Sequence, residues 1–483
     1  MSDNNSTSEP HSPYKTFVQL AVKSFFYTIL WIPVYGVRCF IVKFVGKYLK
    51  SYGKILDHCD STVEEDYTEL PPKNSLVFTI VVEGDLTASQ LKPLFTRNVL
   101  EARISSKDKT KSEDELRYPE FKQYQIDFAG FQFWRNDPTF NIDHHITEQT
   151  YRNNSSLRKI HQEMINKLFA KKRSPWEIVV YRNYENANKT LLVYRVHHTH
   201  GDTISQLKVL VESLGEKELQ LPNVQYKEKN PLEKFFYYAL MPFYFVFVQV
   251  RNDYVESGTQ DSPWRFKLEQ ETLLNISISQ KLSMADIKLV AKKNGVTTSA
   301  VIMSVIAGAV GKSDVRLKLR GIPCQYVLPK ADHPPRLANH SYSGVMVLPS
   351  HVHSPSERLH KCNDIFLRLK SSDLHKYDKV VVFQSGTWFN PLRLKFLRNT
   401  TFPLIITNIA SDREGFKIGS YPVSEFTMTC APLFGACGVI ITAFSYKDSI
   451  EFTITAKEGI LTESQNEKLA KLMEKELHSL IKS

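Results

Sequence analysis

The chain has 483 residues, 42% apolar, 12% aromatic and 23% charged, which is globular rather than disordered. Its length exceeds one ordinary core, so two domains of roughly 200 residues each are expected. A net charge of +11 suits an anionic membrane, a phosphate-bearing ligand or nucleic acid, but the absence of zinc-finger spacing, an aromatic-basic strand motif and a basic heptad helix argues against nucleic acid.

Near the start, "FVQLAVKSFFYTILWIPVYGV" from Phe17 to Val37 carries only Lys23 as a charge and is long enough to span a bilayer. Arg38, Lys43, Lys47, Lys50 and Lys54 follow, so the positive-inside bias places the body in the cytoplasm. The endoplasmic reticulum is the expected membrane, and a buried core helix is the competing reading. An acidic, proline-punctuated linker, Thr62 to Pro72, leads into "SLVFTIVVEG", a strand pattern where a folded domain begins. A helix capped by Thr87 follows, with Leu91, Leu94, Phe95 and Val99 at helical spacing. The pattern then predicts a helix over 155–171, strands over 176–184 and 191–196, and a helix over 203–214.

"FFYYALMPFYFVFVQV", from Phe235 to Val250, contains Pro242 and is short for a span, so it reads as a re-entrant or interfacial segment, or as a core helix. The second half opens with a strand, a helix capped by Ser283 and stopped at Gly295, and a helix rich in small residues. Strands are expected over 324–328, 342–348, 403–408, 438–446 and 450–456, and a final helix starts from a Thr462–Gln465 capping box. This alternation predicts an α/β (α+β) fold of two lobes. The expected divisions are a tail and membrane anchor over 1–60, an N-terminal lobe over 68–220, a linker over 221–270 and a C-terminal lobe over 271–483. The cysteines Cys39, Cys59, Cys324, Cys362, Cys430 and Cys437 are scattered without a CxxC pair, which predicts free thiols in a reducing compartment. Sequons at Asn188 and Asn339 leave a lumenal location open.

"HHTHGDT", residues 197–203, falls where a strand ends and a helix begins. A histidine pair alone carries little information, since His144 and His145 form another. Adding Asp202 at a fixed offset lowers the chance expectation to roughly 0.02. Three readings compete. "HTHGDT" matches most of the HxHxDH pattern of binuclear-metal hydrolases, with Thr203 in place of the last histidine, so zinc is one. A polar turn with satisfied histidines is the second. The third is general-base catalysis by one histidine, with Asp202 turned back to secure the loop.

The same residues resemble the HHxxxDG signature of the acyl-CoA-dependent acyltransferases that include chloramphenicol acetyltransferase and peptide-synthetase condensation domains. From about Leu76 to the C-terminus, the surroundings look like the wax ester synthase/diacylglycerol acyltransferase family. "VEGDLTASQLKPLF", "FWRNDPTFNIDHHITE" and "SPWEIVVYR" resemble its landmarks before the motif. "GVTTSAVIMSVIAGAV", "VLPSHVHSPSERL", "LIITNIASD", "SYPVSEF" and "ITAFSYKDSIEFTITAKEGIL" follow those after it, in order. Thr203 stands where the family has glycine, "TTSA" at 297–300 replaces an asparagine-aspartate pair, and "TNIASD" keeps Asn408 without the following proline-glycine-proline.

The resemblance implies two chloramphenicol-acetyltransferase-like lobes, here preceded by the membrane helix read from the apolar run Phe17–Val37. It implies transfer of a fatty acyl group from acyl-CoA, a co-substrate, to a long-chain alcohol or diacylglycerol, with no cofactor and no metal. His198 is the implied base, supported by His197, Asp202 and Asn408. Asp202 is expected to pair with an arginine of its lobe such as Arg103, and His200 to face solvent. Asn408 and Ser299 are the expected oxyanion donors. A catalytically inactive lipid-binding homologue and a zinc-dependent hydrolase using the HTHGD cluster remain the alternatives.

Overall fold

The computed structural model describes residues 13–49, 51–61, 74–104, 115–151, 156–186, 188–219, 230–232, 261–266, 272–318, 321–328, 333–371, 386–388, 402–431 and 435–482. The acidic linker 62–72 and the apolar stretch 235–250 lie outside them.

The strand predicted at "SLVFTIVVEG" is β2 (Ser75–Glu83), and every residue in it but the last is buried. Its two faces enter different cores. Leu76, Phe78, Ile80 and Val82 pack with the helices of the N-terminal lobe. Val77 and Val81 pack with the helix Leu157–Asn166 and with Leu274 and Ile276 of the second lobe. A strand buried on both sides reads as a nearly continuous apolar run, which is what the sequence has. β2 is flanked by β7 (Lys189–His197) and β14 (Tyr421–Cys430), both antiparallel to it. β6 (Trp176–Arg182) and β5 (Ile146–Thr150) extend one side of this sheet and β13 (Lys417–Ile418) the other. Residues 417–430, expected in the C-terminal lobe, therefore complete the N-terminal sheet.

The second sheet runs β11 (Tyr342–Leu348), β10 (Ile322–Leu328), β12 (Leu404–Ala410), β15 (Val439–Tyr446), β16 (Ser449–Lys457) and β8 (Leu274–Ile278), with β9 (Leu282–Ser283) on β16. β12 is parallel to both β10 and β15. The helices Met284–Asn294, Thr298–Ser313, Pro355–Ser371 and Glu463–Lys482 contribute to the core beside this sheet. The predicted stops hold locally: Gly295 takes φ +62 after Asn294, and Thr462 and Gln465 exchange capping hydrogen bonds. The helix expected over 203–214 forms as Thr203–Leu207 continued by a π-helical segment, Lys208–Leu214.

A third sheet, of β1 (Tyr52–Ile55), β4 (Phe131–Asn136) and β3 (Gln123–Phe128), carries the N-terminal helix. That helix runs from Pro13 to Tyr48, past the Val37 limit of the expected span. Its last turns are anchored to protein: Val45 packs on Phe131 and Phe133, and Arg38 is buried. Farther back, Phe25, Phe26 and Ile32 are exposed. Among the described residues, one helix is apolar and long enough to cross a membrane, with its window at Ile29–Tyr48 and a mean hydropathy of 1.6.

Candidate active site

β7 delivers His197 and His198 to the interface of the two lobes. The N–H of His198 donates to the Asn74 carbonyl at 2.7 Å, and its carbonyl accepts from the Gly201 N–H at 3.1 Å, closing a single 3-10 turn. Gly201 takes φ +103, and a Cβ there would lie 2.6 Å from Ser205 Oγ and 2.9 Å from the Ala338 nitrogen. Glycine is thus required at 201 on two counts, conformation and space. Asp202 then caps the next helix, accepting the Ser205 N–H at 3.0 Å. Thr203 is the first helical residue, with no positive φ. Thr203, where the family has glycine, therefore needs no permissive backbone: the glycine that the turn needs is two residues earlier.

Asp202 is buried and fully partnered. Its Oδ1 also accepts from His333 Nε2 at 2.9 Å, and its Oδ2 accepts from the His340 N–H at 2.9 Å and from Ser341 Oγ at 2.6 Å. Burial pushes its carboxyl up, but the His333 hydrogen bond and charge, with Ser341 and the Ser205 amide, outweigh it and hold the group well below the usual carboxylate range. The expected arginine partner is corrected, because the side-chain partners are His333, from the loop between β10 and β11, and Ser341. Arg103 pairs through its backbone with Leu116 in an isolated antiparallel bridge.

The histidines of the cluster part ways. His197 is buried, and its Nδ1 accepts from the Thr199 N–H at 3.3 Å. His200, expected to face solvent, is fully buried: its Nε2 lies 3.1 Å from Ser174 Oγ and 3.2 Å from the Glu120 carbonyl, and its ring packs on Phe121 and Trp134. Burial pushes its pKa down to about 3. His145 stacks on Trp176 in the N-terminal core, away from the motif turn. Among the described residues, no three His, Cys, Asp or Glu side chains converge as metal ligands, so the zinc reading of HTHGD has no geometry there.

His198 is the histidine that reaches open space. It lines a cavity of about 560 Å³ together with Asp202, Thr203 and Ile204 from one lobe and Ser299, Tyr326 and Asn408 from the other. Its Nδ1 is buried, which leaves Nε2 as the nitrogen available to a bound molecule. Burial lowers its pKa, while Asp202, its own carbonyl and Asn339 pull upward without cancelling the effect. On the far wall, Asn408 Nδ2 donates to Ser299 Oγ at 3.4 Å, and the Tyr326 hydroxyl bonds with both residues. Burial raises that phenol to about 12, so it stays protonated at neutral pH. "TTSA" places Thr297 as the N-cap of the helix Thr298–Ser313, accepting the Ala300 N–H at 3.2 Å, and leaves Ser299 facing the cavity.

The geometry joins His198 and Asp202 to a second lobe in which residues 338–481 match the family described as WS/DGAT C-terminal domain. The resemblance read from the landmark motifs is borne out there, and the domain includes Asn339, Ser341 and Asn408 of the cavity wall. No curated protein sequence matches the chain.

Solved structures share its fold. A wax ester synthase/diacylglycerol acyltransferase from Marinobacter aquaeolei VT8 is 14% identical, with 88% of this chain and 98% of that one covered at a TM-score of 0.57. A trichothecene 15-O-acetyltransferase from Fusarium sporotrichioides is 12% identical, with 88% and 94% covered at 0.64. The condensation domain of the Monacolin K polyketide synthase is 9% identical, with 90% and 98% covered at 0.57. The architecture is accordingly the mixed α/β, two-lobed fold of the chloramphenicol acetyltransferase and condensation-domain type.

Tyr326 and His333 were not singled out by sequence reasoning. Both lie more than a hundred residues from the motif, and only the packing of β10 and its following loop against the His198–Asp202 turn brings them to it.

Proposed function

We propose that this chain is a membrane-associated O-acyltransferase that moves a fatty acyl group from acyl-CoA to a long-chain alcohol or diacylglycerol, with His198 as general base. The observation that carries the reading is the position of His198: a neutral imidazole lining an inter-lobe cavity whose far wall holds Tyr326, Ser299 and Asn408.

An alcohol attacks a thioester slowly until its proton is taken. Nε2 of His198 accepts that proton as the alcohol oxygen bonds to the thioester carbon, giving a tetrahedral oxyanion. Donors fixed in the cavity wall stabilise the developing charge, with Asn408, Ser299 and Tyr326 in that role. As the C–S bond breaks, the imidazolium returns the proton to the CoA sulfur, and ester and free thiol leave. Asp202 touches neither substrate in this scheme; it holds the turn. Lys288, Lys370 and Arg413 at the cavity suit the phosphates of CoA. The exposed apolar stretch of the N-terminal helix suits a bilayer, which would supply the acceptor.

The test is ester formation by membranes carrying the protein, given labelled acyl-CoA and a panel of hexadecanol, diacylglycerol and other hydroxyl acceptors. Product with one acceptor, lost in His198→Ala, is expected. Product that survives His198→Ala removes the proposed base, and no product across the panel favours lipid binding without turnover.

A further inference from the structure

A continuous path of contacts joins the N-terminal helix to the catalytic turn. Arg38 of that helix, buried, donates to the Leu56 carbonyl at 3.0 Å and the Gly386 carbonyl at 3.4 Å, and its guanidinium lies over the Phe131 ring. Leu56 in turn donates its N–H to the Gln132 carbonyl at 2.9 Å, fixing the segment after β1 to β4. Gly386 approaches the next residues so closely that a Cβ there would lie 2.1 Å from the His58 carbonyl oxygen. The one-turn helix His58–Ser61 follows, with Cys59 in the cavity wall and Asp60 buried.

Asp60 makes the last link. Its Oδ1 accepts from the Asn339 N–H at 3.1 Å and from Asn339 Nδ2 at 2.8 Å, and the same Nδ2 donates to the His198 carbonyl at 2.9 Å. An asparagine amide can be turned over, exchanging oxygen for nitrogen. Turned over here, it would set Oδ1 against two oxygens, those of Asp60 and His198. Because Asp60 Oδ1 already accepts the Asn339 N–H, it selects the orientation in which the NH₂ group holds the peptide that carries His198. Asn339 also bonds with the His198 side chain and pulls its pKa upward, so the amide touches both the peptide and the ring of that residue.

We propose that Asp60 is a positioning residue that acts through Asn339 on the backbone of His198, and so couples the docking of the N-terminal helix to the orientation of the base. The proposal rests on His198 being the base of the proposed transfer. It makes the segment between membrane helix and first sheet part of the machinery for placing His198, although that segment lies well before the HHxxxD motif.

The experiment uses the full chain in phosphatidylcholine vesicles with Asp60→Ala, Asp60→Asn, Asn339→Leu and the Asp60→Ala/Asn339→Leu double variant. Two quantities are read: kcat and KM with acyl-CoA, and the rate at which diethyl pyrocarbonate modifies His198, mapped by peptide mass spectrometry. Asp60→Ala is expected to lower kcat about tenfold with KM for acyl-CoA within about twofold, and to change His198 modification by about threefold or more. Asp60→Asn keeps an oxygen for Asn339 and restores both readouts. Asn339→Leu reproduces Asp60→Ala, and the double variant adds nothing further. Unchanged His198 reactivity in both Asp60→Ala and Asn339→Leu overturns the proposal, as do fully additive effects. If Asp60→Ala loses its cooperative melting transition, Asn339→Leu and Asp60→Asn decide in its place. If the unmodified protein makes no ester with any acceptor, the transfer reading fails, while the His198 modification rates still report on the coupling.

Discussion

Asp202 and His333 are separated by 131 positions in the chain and meet at 2.9 Å. The other ring nitrogen of His333 faces the Pro334 carbonyl at 3.2 Å. The loop between β10 and β11 is thereby clamped to the His198–Asp202 turn through one carboxylate, which meets His333, Ser341 and the His340 N–H. The folded-state pKa of Asp202 is depressed, so its stabilisation is present above the unfolded carboxylate value of about 3.9 and is lost as pH falls through the lower folded value. Asp202→Asn should cost about 1–3 kcal/mol at neutral pH, because an amide cannot accept from all of His333, Ser341 and the Ser205 and His340 N–H groups that the carboxylate serves. Urea unfolding of the two proteins should show that gap at pH 7 and a narrower one in strong acid. Equal midpoints at pH 7 would remove the clamp.

The acid limb of catalysis should sit low. The base must be neutral to accept a proton, and burial lowers the pKa of His198 from its ordinary value. The pH profile of kcat/KM should therefore stay flat down through about 6.5 and fall only below it. His198→Ala should reduce the rate by about 10²–10⁴ with an unchanged melting temperature. A limb well above 6.5 would point to a different titrating group.

Two neighbouring substitutions should differ sharply in cost. Gly201→Ala forces a Cβ into Ser205 Oγ and the Ala338 nitrogen at a positive φ, so it should destabilise the turn by about 1–3 kcal/mol and reduce activity with it. Thr203→Gly restores the residue of the family signature but removes a side chain from the first helical position and from the cavity wall. It should leave the melting temperature nearly unchanged or slightly lower. Thermal unfolding of both, beside ester formation, separates the outcomes.

The N-terminal helix should tolerate only one kind of truncation. Deleting residues 1–37 leaves Arg38 and Val45 seated on the third sheet, and the protein should leave the membrane fraction folded. Deleting residues 1–52 uncovers Phe131 and Phe133 and removes the start of β1, and that product should aggregate. Flotation with vesicles, followed by gel filtration of the soluble fraction, measures both. A 1–37 deletion that remains membrane-bound would move the anchor elsewhere in the chain.

Much of the fold was legible because its signals are local. The periodicity of β2, the Ser283 and Thr462 caps and the Gly295 stop each depend on residues a few positions apart, and each element appears where they place it. The motif was legible for the same reason, since His197, His198, Gly201 and Asp202 are contiguous. What could not be read were relations across the chain. His200 looked like a loop histidine because its cage, made by Phe121, Trp134 and Ser174, comes from earlier segments. His333 gave no sign of pairing with Asp202, because a histidine after a polar stretch and before two prolines has many possible settings. Asp60 sat in a segment assigned to the anchor, and only tertiary packing makes it a neighbour of the active site.

β14 has a consequence for how the molecule can be divided. Its residues come from the second half of the sequence, yet from Val423 to Cys430 it pairs with β2 in the heart of the first lobe. A protease cut between the halves would not yield two separable bodies, and a fragment beginning at the WS/DGAT C-terminal domain would carry a strand with no sheet to join. The two halves must be made and folded together, and the cleft between them can open only as far as that shared strand allows.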